Sequence, residues 1–368
     1  MSPRKRLRIA ISVNGEGRGH LTRIAALARR LEGRQELAFW APDTILEELG
    51  RLFPRAEARP VPLLRIAMRG PGIDLAGTAA ANLGPLVSTG SSVSALAAEL
   101  EAFRPDGVLS DFEPFLPEAA ARLGLPVLQL NHPGILTRFP LTDPASVAAK
   151  LVAARMMGRF DKLLLCSFYA GDVGPILRPE LLRARRPRRE EDFVLVYARE
   201  GLAERFRDYA ARRGATRFRF FPDPASDYAS ALASCSAIVA PAGHQTICEA
   251  LCLGKPIFAV PLAGQAEQAL NAQMLRRSGW GDWAPAEAFE EGLDRFLAAR
   301  GSYPRPPEPG LAFRFGDEGP RAARIVRDYF AAEAARLRGP APIRRAYSRA
   351  TWFLGRLVPA GGSLGAPA

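Results

Sequence analysis

Twice along these 368 residues, short apolar runs alternate with segments of helical periodicity, and between the two series the alternation breaks off. Strand-length runs at 7–13, 37–40, 107–110 and 127–130 flank helical patterns at 21–31, 92–103 and 116–123, with a Pro-rich stretch at 54–71. These runs are apolar at nearly every residue, as strands buried on both faces must be. Strands joined by helices run parallel, with the helices covering both faces of the sheet. After a Pro- and Arg-rich stretch without periodicity the pattern restarts, with strands at 193–197, 218–221 and 237–240 and helices at 202–213 and 267–277. The fold class is therefore α/β, doubly wound. The chain is too long for one ordinary domain and fits two. The expected organisation is an N-terminal unit at 1–175, a linker at 176–191, a second unit at 192–335, and a tail at 336–368. Two such sheets facing across a cleft place ligands at the carboxyl ends of their strands.

The sharpest local signal begins at Ala240-Pro-Ala-Gly-His-Gln-Thr-Ile-Cys-Glu249 and runs through Gly254-Lys-Pro to a second apolar run ending at Leu262. It reads as a strand end, a glycine turn, a short helix and another buried strand. Gly243, His244, Gln245 and Thr246 stand at the helix start, where free N–H groups and the helix dipole favour an anion. Glu249 follows one turn after Gln245, on the same face, where a carboxylate accepts hydrogen bonds from ribose hydroxyls. A diphosphate with a ribose is a nucleotide. In the next helix start, Gln265, Glu267 and Gln268 crowd the first turn with groups suited to sugar hydroxyls.

The first unit opens with its own glycine loop, Asn14-Gly-Glu-Gly-Arg-Gly-His20. Gly17 and Gly19 let the backbone approach a ligand, and His20 stands where the helix begins. The chain has three histidines, His20, His132 and His244, and each follows a strand. His20 is the candidate general base, because neutral imidazole accepts a proton from a hydroxyl near neutral pH. Asp111, in Ser110-Asp-Phe-Glu-Pro114, is expected to orient that imidazole, with Glu113 as its rival. Gly17, Gly19, Glu113 and His132 are the expected lining of an acceptor side. The glycine loop lacks the third-glycine spacing of a dinucleotide fingerprint, and Asp43 reads as a helix cap, so NAD is not expected. Asp111 and Glu113 have no third ligand nearby in sequence, so neither a metal nor any other cofactor is expected.

The balance of 50 Lys and Arg against 38 Asp and Glu, a net charge of +12, favours acidic partners. No basic motif interleaved with aromatics supports nucleic acid. The four cysteines form no ligand pattern and lie in apolar runs, which suits small buried residues in a reducing cytoplasm. The apolar run at 9–13 is too short for a signal peptide, and no 18-residue apolar stretch exists to span a membrane. From Pro340 a basic amphipathic segment carries Trp352 and Phe353, which suits either the anionic inner face of the cytoplasmic membrane or packing across the first unit.

On Gly243, Thr246, Glu249, Gly254, Pro256, Gln268 and Asn271-Ala272 the second half resembles the donor-binding domain of GT-B glycosyltransferases. Within them it is similar to the bacterial lipid-linked N-acetylglucosaminyltransferase and UDP-glycosyltransferase superfamily, with a family 28-like C-terminal domain. The first half resembles the same groups at Gly17-Arg-Gly-His20 and at Ser110-Asp111. Ser110-Asp-Phe-Glu-Pro114 and Gly174-Pro-Ile-Leu-Arg178 look like a less characterised prokaryotic branch. The resemblance covers most of 7–335 and implies two Rossmann-like domains facing across a cleft. It implies diphosphate on Gly243–Thr246, ribose on Glu249, and donor sugar on Glu267 and Gln268, with His20 and Asp111 as a catalytic dyad. One departure stands out: Pro241 occupies the place of the phosphate-binding histidine of the small-molecule enzymes, and His244 is offered in its stead. The implied activity is inverting, metal-independent transfer of a hexose or N-acetylhexosamine from a nucleotide-sugar, a UDP-sugar, to a lipid-linked or envelope glycan hydroxyl. The alternatives are a nucleotide-sugar 2-epimerase and a non-catalytic nucleotide-sugar-binding subunit.

Overall fold

The computed structural model describes residues 6–338 apart from 66, 70–71, 141–142, 185–189, 199 and 215. The first half begins β1 (Arg8–Val13), α1 (Arg18–Leu31), β2 (Glu36–Ala41), α2 (Asp43–Leu52) and β3 (Glu57–Pro60). A hairpin of β4 (Met68–Arg69) and β5 (Gly72–Ile73) precedes α3 (Leu75–Val87) and α4 (Thr89–Phe103). Then come β6 (Gly107–Asp111), α5 (Phe115–Arg122), β7 (Val127–Asn131), α6 (Pro144–Met156) and β8 (Lys162–Leu165). The second half runs α7 (Pro179–Ala184), β9 (Val194–Tyr197), α8 (Glu200–Ala211), β10 (Phe218–Phe221) and α9 (Tyr228–Ser234). It continues with β11 (Ala237–Pro241), α10 (His244–Cys252), β12 (Ile257–Val260), α11 (Ala266–Arg277) and β13 (Gly281–Trp283). It closes with α12 (Phe289–Ala298) and α13 (Gly319–Arg338).

The strands form two wholly parallel sheets, ordered β3-β2-β1-β6-β7-β8 and β10-β9-β11-β12-β13. Both are doubly wound, as the alternation predicts. The strand order reverses between β1 and β6 in one sheet and between β9 and β11 in the other, and such a switch point opens a crevice at the strands' carboxyl ends. In the first sheet the register sets Val13 opposite Asp111, and the Asn14 N–H extends the ladder to the Asp111 carbonyl at 3.0 Å. The first glycine loop and the Ser110-Asp111 segment, 91 residues apart at His20 and Asp111, are thereby neighbours. In the second sheet the switch point brings out the loop at Ala242-Gly243.

Strands β6, β7 and β12 are buried at every residue, in keeping with helices on both faces. The apolar core does not stop at the boundary between the halves. Ile135, Leu136, Phe168 and Tyr169 of the first join Leu195, Ile247 and Leu270 of the second in one cluster. All four cysteines are free and buried.

Two differences from the sequence reading concern the connections. The expected linker at 176–191 holds Ile176, Leu177 and Leu181, all fully buried, and the short helix α7. Its apolar residues are too few to show a period, yet each finds the core. The 319–335 stretch, expected with the second unit, lies in α13, whose Ala322, Val326 and Phe330 enter the first unit's core beside Leu27 and Leu109. Gly107 makes room for it: a Cβ there would lie 2.4 Å from the Phe330 ring. Asp317 fixes the start of α13, accepting from Arg30 of α1 at 2.7 Å and from the Leu177 N–H at 3.0 Å. The amphipathic segment from Pro340 lies outside the described residues.

Candidate functional site

His20 occupies the third position of α1, whose N-cap, Gly17, has φ +75°, a left-handed conformation that glycine adopts without strain. Its Nδ1 lies 2.8 Å from Asp111 Oδ1, and its side chain keeps 14% exposure while Asp111 is fully buried. The ring stacks parallel on Phe112, with 5.8 Å between centroids and 7° between planes. Phe112 itself holds φ +59°, an unfavourable conformation for a residue with a Cβ. It is held there by its carbonyl, which accepts from Asn14 Nδ2 at 2.9 Å, and by its N–H, which donates to Gln129 Oε1 at 3.3 Å. Strained backbone that its surroundings hold this firmly is characteristic of functional sites.

A residue the sequence reading passed over completes this side. Arg23 is 2% exposed and forks onto Asp111, Nε to Oδ2 at 2.8 Å and Nη2 to Oδ1 at 2.7 Å. Nη2 also lies 3.1 Å from His20 Nδ1. Burial pushes the Asp111 carboxyl upward, but Arg23 and His20 overcome it and hold the group below its ordinary range. A charge among Leu21, Ile24, Leu27 and Ala28 on the buried face of α1, three residues from His20, is the signal that marks Arg23.

Across the cleft, Gly243 is the N-cap of α10, and a Cβ built on it meets no atom within 4 Å. The space in front of that helix start is open. A Cβ on Gly19 would lie 3.5 Å from Gln245 Cβ, so the starts of α1 and α10 meet here. Glu249 is 3% exposed and carries a partner not foreseen, Arg178, which donates from Nε at 3.2 Å and from Nη2 at 3.1 Å. Burial raises the Glu249 carboxyl above its ordinary range, and Arg178 opposes that rise. The fork of Arg178 uses one lone pair on each oxygen and leaves others for hydroxyl donors. In α11, Gln268 accepts from the Leu262 N–H at 3.0 Å and donates to Gln265 Oε1 at 2.7 Å, so these two amides brace each other and the preceding loop. Glu267 receives Asn271 Nδ2 at 3.4 Å.

Two residues expected along the acceptor side sit elsewhere. Glu113 turns inward and caps α5, accepting from the N–H groups of Phe115 (2.5 Å) and Leu116 (3.0 Å), because the open N–H groups of a helix start attract the nearest carboxylate. His132 is 1% exposed and joins the halves, with Nδ1 3.1 Å from the Cys166 carbonyl and Nε2 2.8 Å from Asn271 Oδ1. Its ring stacks on His244 at 3.6 Å between centroids. Burial, with His132, Arg23 and His20 adding to it, holds His244 well below the ordinary imidazole range and therefore neutral. His244 Nε2 meets Cys248 Sγ at 3.2 Å, and its buried Nδ1 has no hydrogen-bond partner. Among the described residues, no three His, Cys, Asp or Glu side chains are grouped to hold a metal ion, and no helix is long and apolar enough to cross a membrane.

Residues 7–300 match the family model described as Glycosyl transferase family 1. Two curated relatives, each described as an uncharacterized glycosyltransferase, come from Methanosarcina acetivorans and Methanosarcina mazei. They are 46% and 44% identical over 48 residues, which is 13% of this chain and 13% of the length of each relative. Among solved structures the fold is similar to LpCGTa in complex with UDP, at TM-score 0.58 and 16% identity over 96% of this chain and 99% of that one. It is similar to CalG4, the calicheamicin glycosyltransferase, at TM-score 0.56 and 17% identity over 91% of this chain and 100% of that one. MurG from Acinetobacter baumannii gives TM-score 0.53 and 15% identity over 88% of this chain and 99% of that one. At these identities the likeness is one of fold.

Proposed function

This chain belongs to glycosyl transferase family 1, and on that premise we propose that it is an inverting, metal-independent enzyme that uses a UDP-sugar. It moves a hexose or N-acetylhexosamine to a hydroxyl of a lipid-linked or other envelope glycan. The observation that carries the reading is the meeting of two helix starts, one bearing His20 on Asp111 and the other opening at Gly243. The donor diphosphate sits at the start of α10, on Gly243, Gln245 and Thr246, where N–H groups and the helix dipole stabilise the charge that grows as it leaves. The ribose hydroxyls donate to Glu249, and Glu267 and Gln268 face the sugar.

His20 turns Nδ1 toward Asp111, which leaves Nε2 to take the proton of the acceptor hydroxyl. The acceptor oxygen attacks C1 of the sugar as the C1–O bond to the diphosphate breaks, and a single displacement of this kind inverts the anomeric centre. Asp111 stabilises the imidazolium that forms. Two α/β units that share an apolar core around the site exclude water from the reaction.

Replacing His20 with Ala is expected to abolish transfer while UDP-sugars still raise the thermal unfolding midpoint by mass action. Turnover within a few-fold of wild type would remove His20 from the mechanism. The segment from Pro340, with Trp352 and Phe353, is proposed to hold the enzyme to anionic membrane. Sedimentation with phosphatidylglycerol vesicles should then be lost in a chain ending at Arg338, and equal sedimentation of both chains would refute it.

A further inference from the structure

One buried carboxylate oxygen serves two partners at the site. Asp111 Oδ1 lies 2.8 Å from His20 Nδ1 and 2.7 Å from Arg23 Nη2, while Oδ2 takes Arg23 Nε at 2.8 Å. The carboxylate is fully buried and Arg23 nearly so. An ionised carboxylate in such a place needs a counter-charge. With Arg23 in place the charges of the three groups sum to zero while His20 is neutral. Without Arg23, the only cation available to Asp111 would be a protonated His20, and an imidazolium cannot accept a proton from an acceptor.

The other titratable groups facing this cluster do not supply that charge. His244 on α10 is buried and neutral, the Cys166 thiol after β8 is pushed up to about 12 by burial, and Glu267 on α11 is itself acidic. We propose that Arg23 is a positioning residue for transfer: it supplies the counter-charge to Asp111, so that His20 is oriented by the carboxylate yet stays unprotonated and ready to act as the base. The inference rests on His20 being that base.

The test uses the full chain with Arg23→Gln and Arg23→Lys, read in two ways. The first is the titration of the His20 ring by NMR, its signal identified by its loss in His20→Ala. The second is the pH profile of kcat/KM. In Arg23→Gln the His20 titration midpoint is expected to move up by one pH unit or more. The acid limb of kcat/KM should move with it, giving at least tenfold less transfer at pH 7 and recovery to within a few-fold near pH 9. Arg23→Lys keeps the charge and should stay within half a unit of wild type. A midpoint that does not move in Arg23→Gln overturns the proposal. So does an Arg23→Lys midpoint displaced upward by a unit or more, the reading that remains if Arg23→Gln fails to fold. A ring midpoint that moves while the kcat/KM limb stays put would sustain the charge role of Arg23 and overturn His20 as the base.

Discussion

Replacing Glu113 with Gln tests the inward turn of that side chain through the pH dependence of stability. Glu113 is 2% exposed, and both its oxygens accept backbone N–H groups at the start of α5. Burial outweighs those bonds and raises its pKa from an ordinary 4.5 to about 7. In the unfolded chain the ordinary value returns, so between the two values the folded state holds a proton that the unfolded state has lost. The stability tied to this proton is fully present below pH 4.5 and is lost as the pH rises through about 7. The interval from 4.5 to about 7, at ~1.36 kcal/mol per pH unit, amounts to about 3 kcal/mol. Gln keeps an acceptor oxygen and a similar volume but does not ionise. Urea unfolding of both proteins across about pH 4.5 to 8, taken as the difference between them, cancels every other titrating group. The variant should gain on the wild type by about 3 kcal/mol over that range. It should also keep transfer within a few-fold, because a helix cap touches no substrate. A difference flat to about 0.5 kcal/mol would refute the buried, proton-holding cap.

Gly243→Asp should separate fold from donor binding. The position has φ −68° and room for a Cβ, and Asp is a better N-cap than Gly, so thermal stability should hold or rise. Its carboxylate would occupy the proposed phosphate position, and calorimetry should show UDP affinity down by about tenfold or more. At the other end of the molecule, Phe330→Ala should cost about 3–5 kcal/mol in chemical denaturation, as expected for a large buried ring. Gly107→Ala should also destabilise, because its Cβ would lie 2.4 Å from that ring. The two together should cost less than their sum, and strict additivity would refute the contact.

The sheets, and the two loops that face each other, were legible in the sequence because both are written locally. Apolar runs of strand length alternating with helical periods dictate parallel sheets, and a glycine turn before a helix dictates an open N-terminus. His20, Asp111, Gly243 and Glu249 were readable for the same reason: each lies at a strand end or in a helix's first turns, where α/β folds build sites. What the residues meet was not local. Arg23 finds Asp111 across 88 residues, Arg178 finds Glu249 across 71, and His132 finds Asn271 across 139. No period or spacing encodes such pairings, because they follow from strand order and from the meeting of the two sheets. The tertiary structure therefore decided that Glu113 caps a helix, that His132 joins the halves, and that α13 returns to the first unit. Its physical reason is the same in each case: a buried polar group takes the nearest partner, and an apolar helix face the nearest uncovered core.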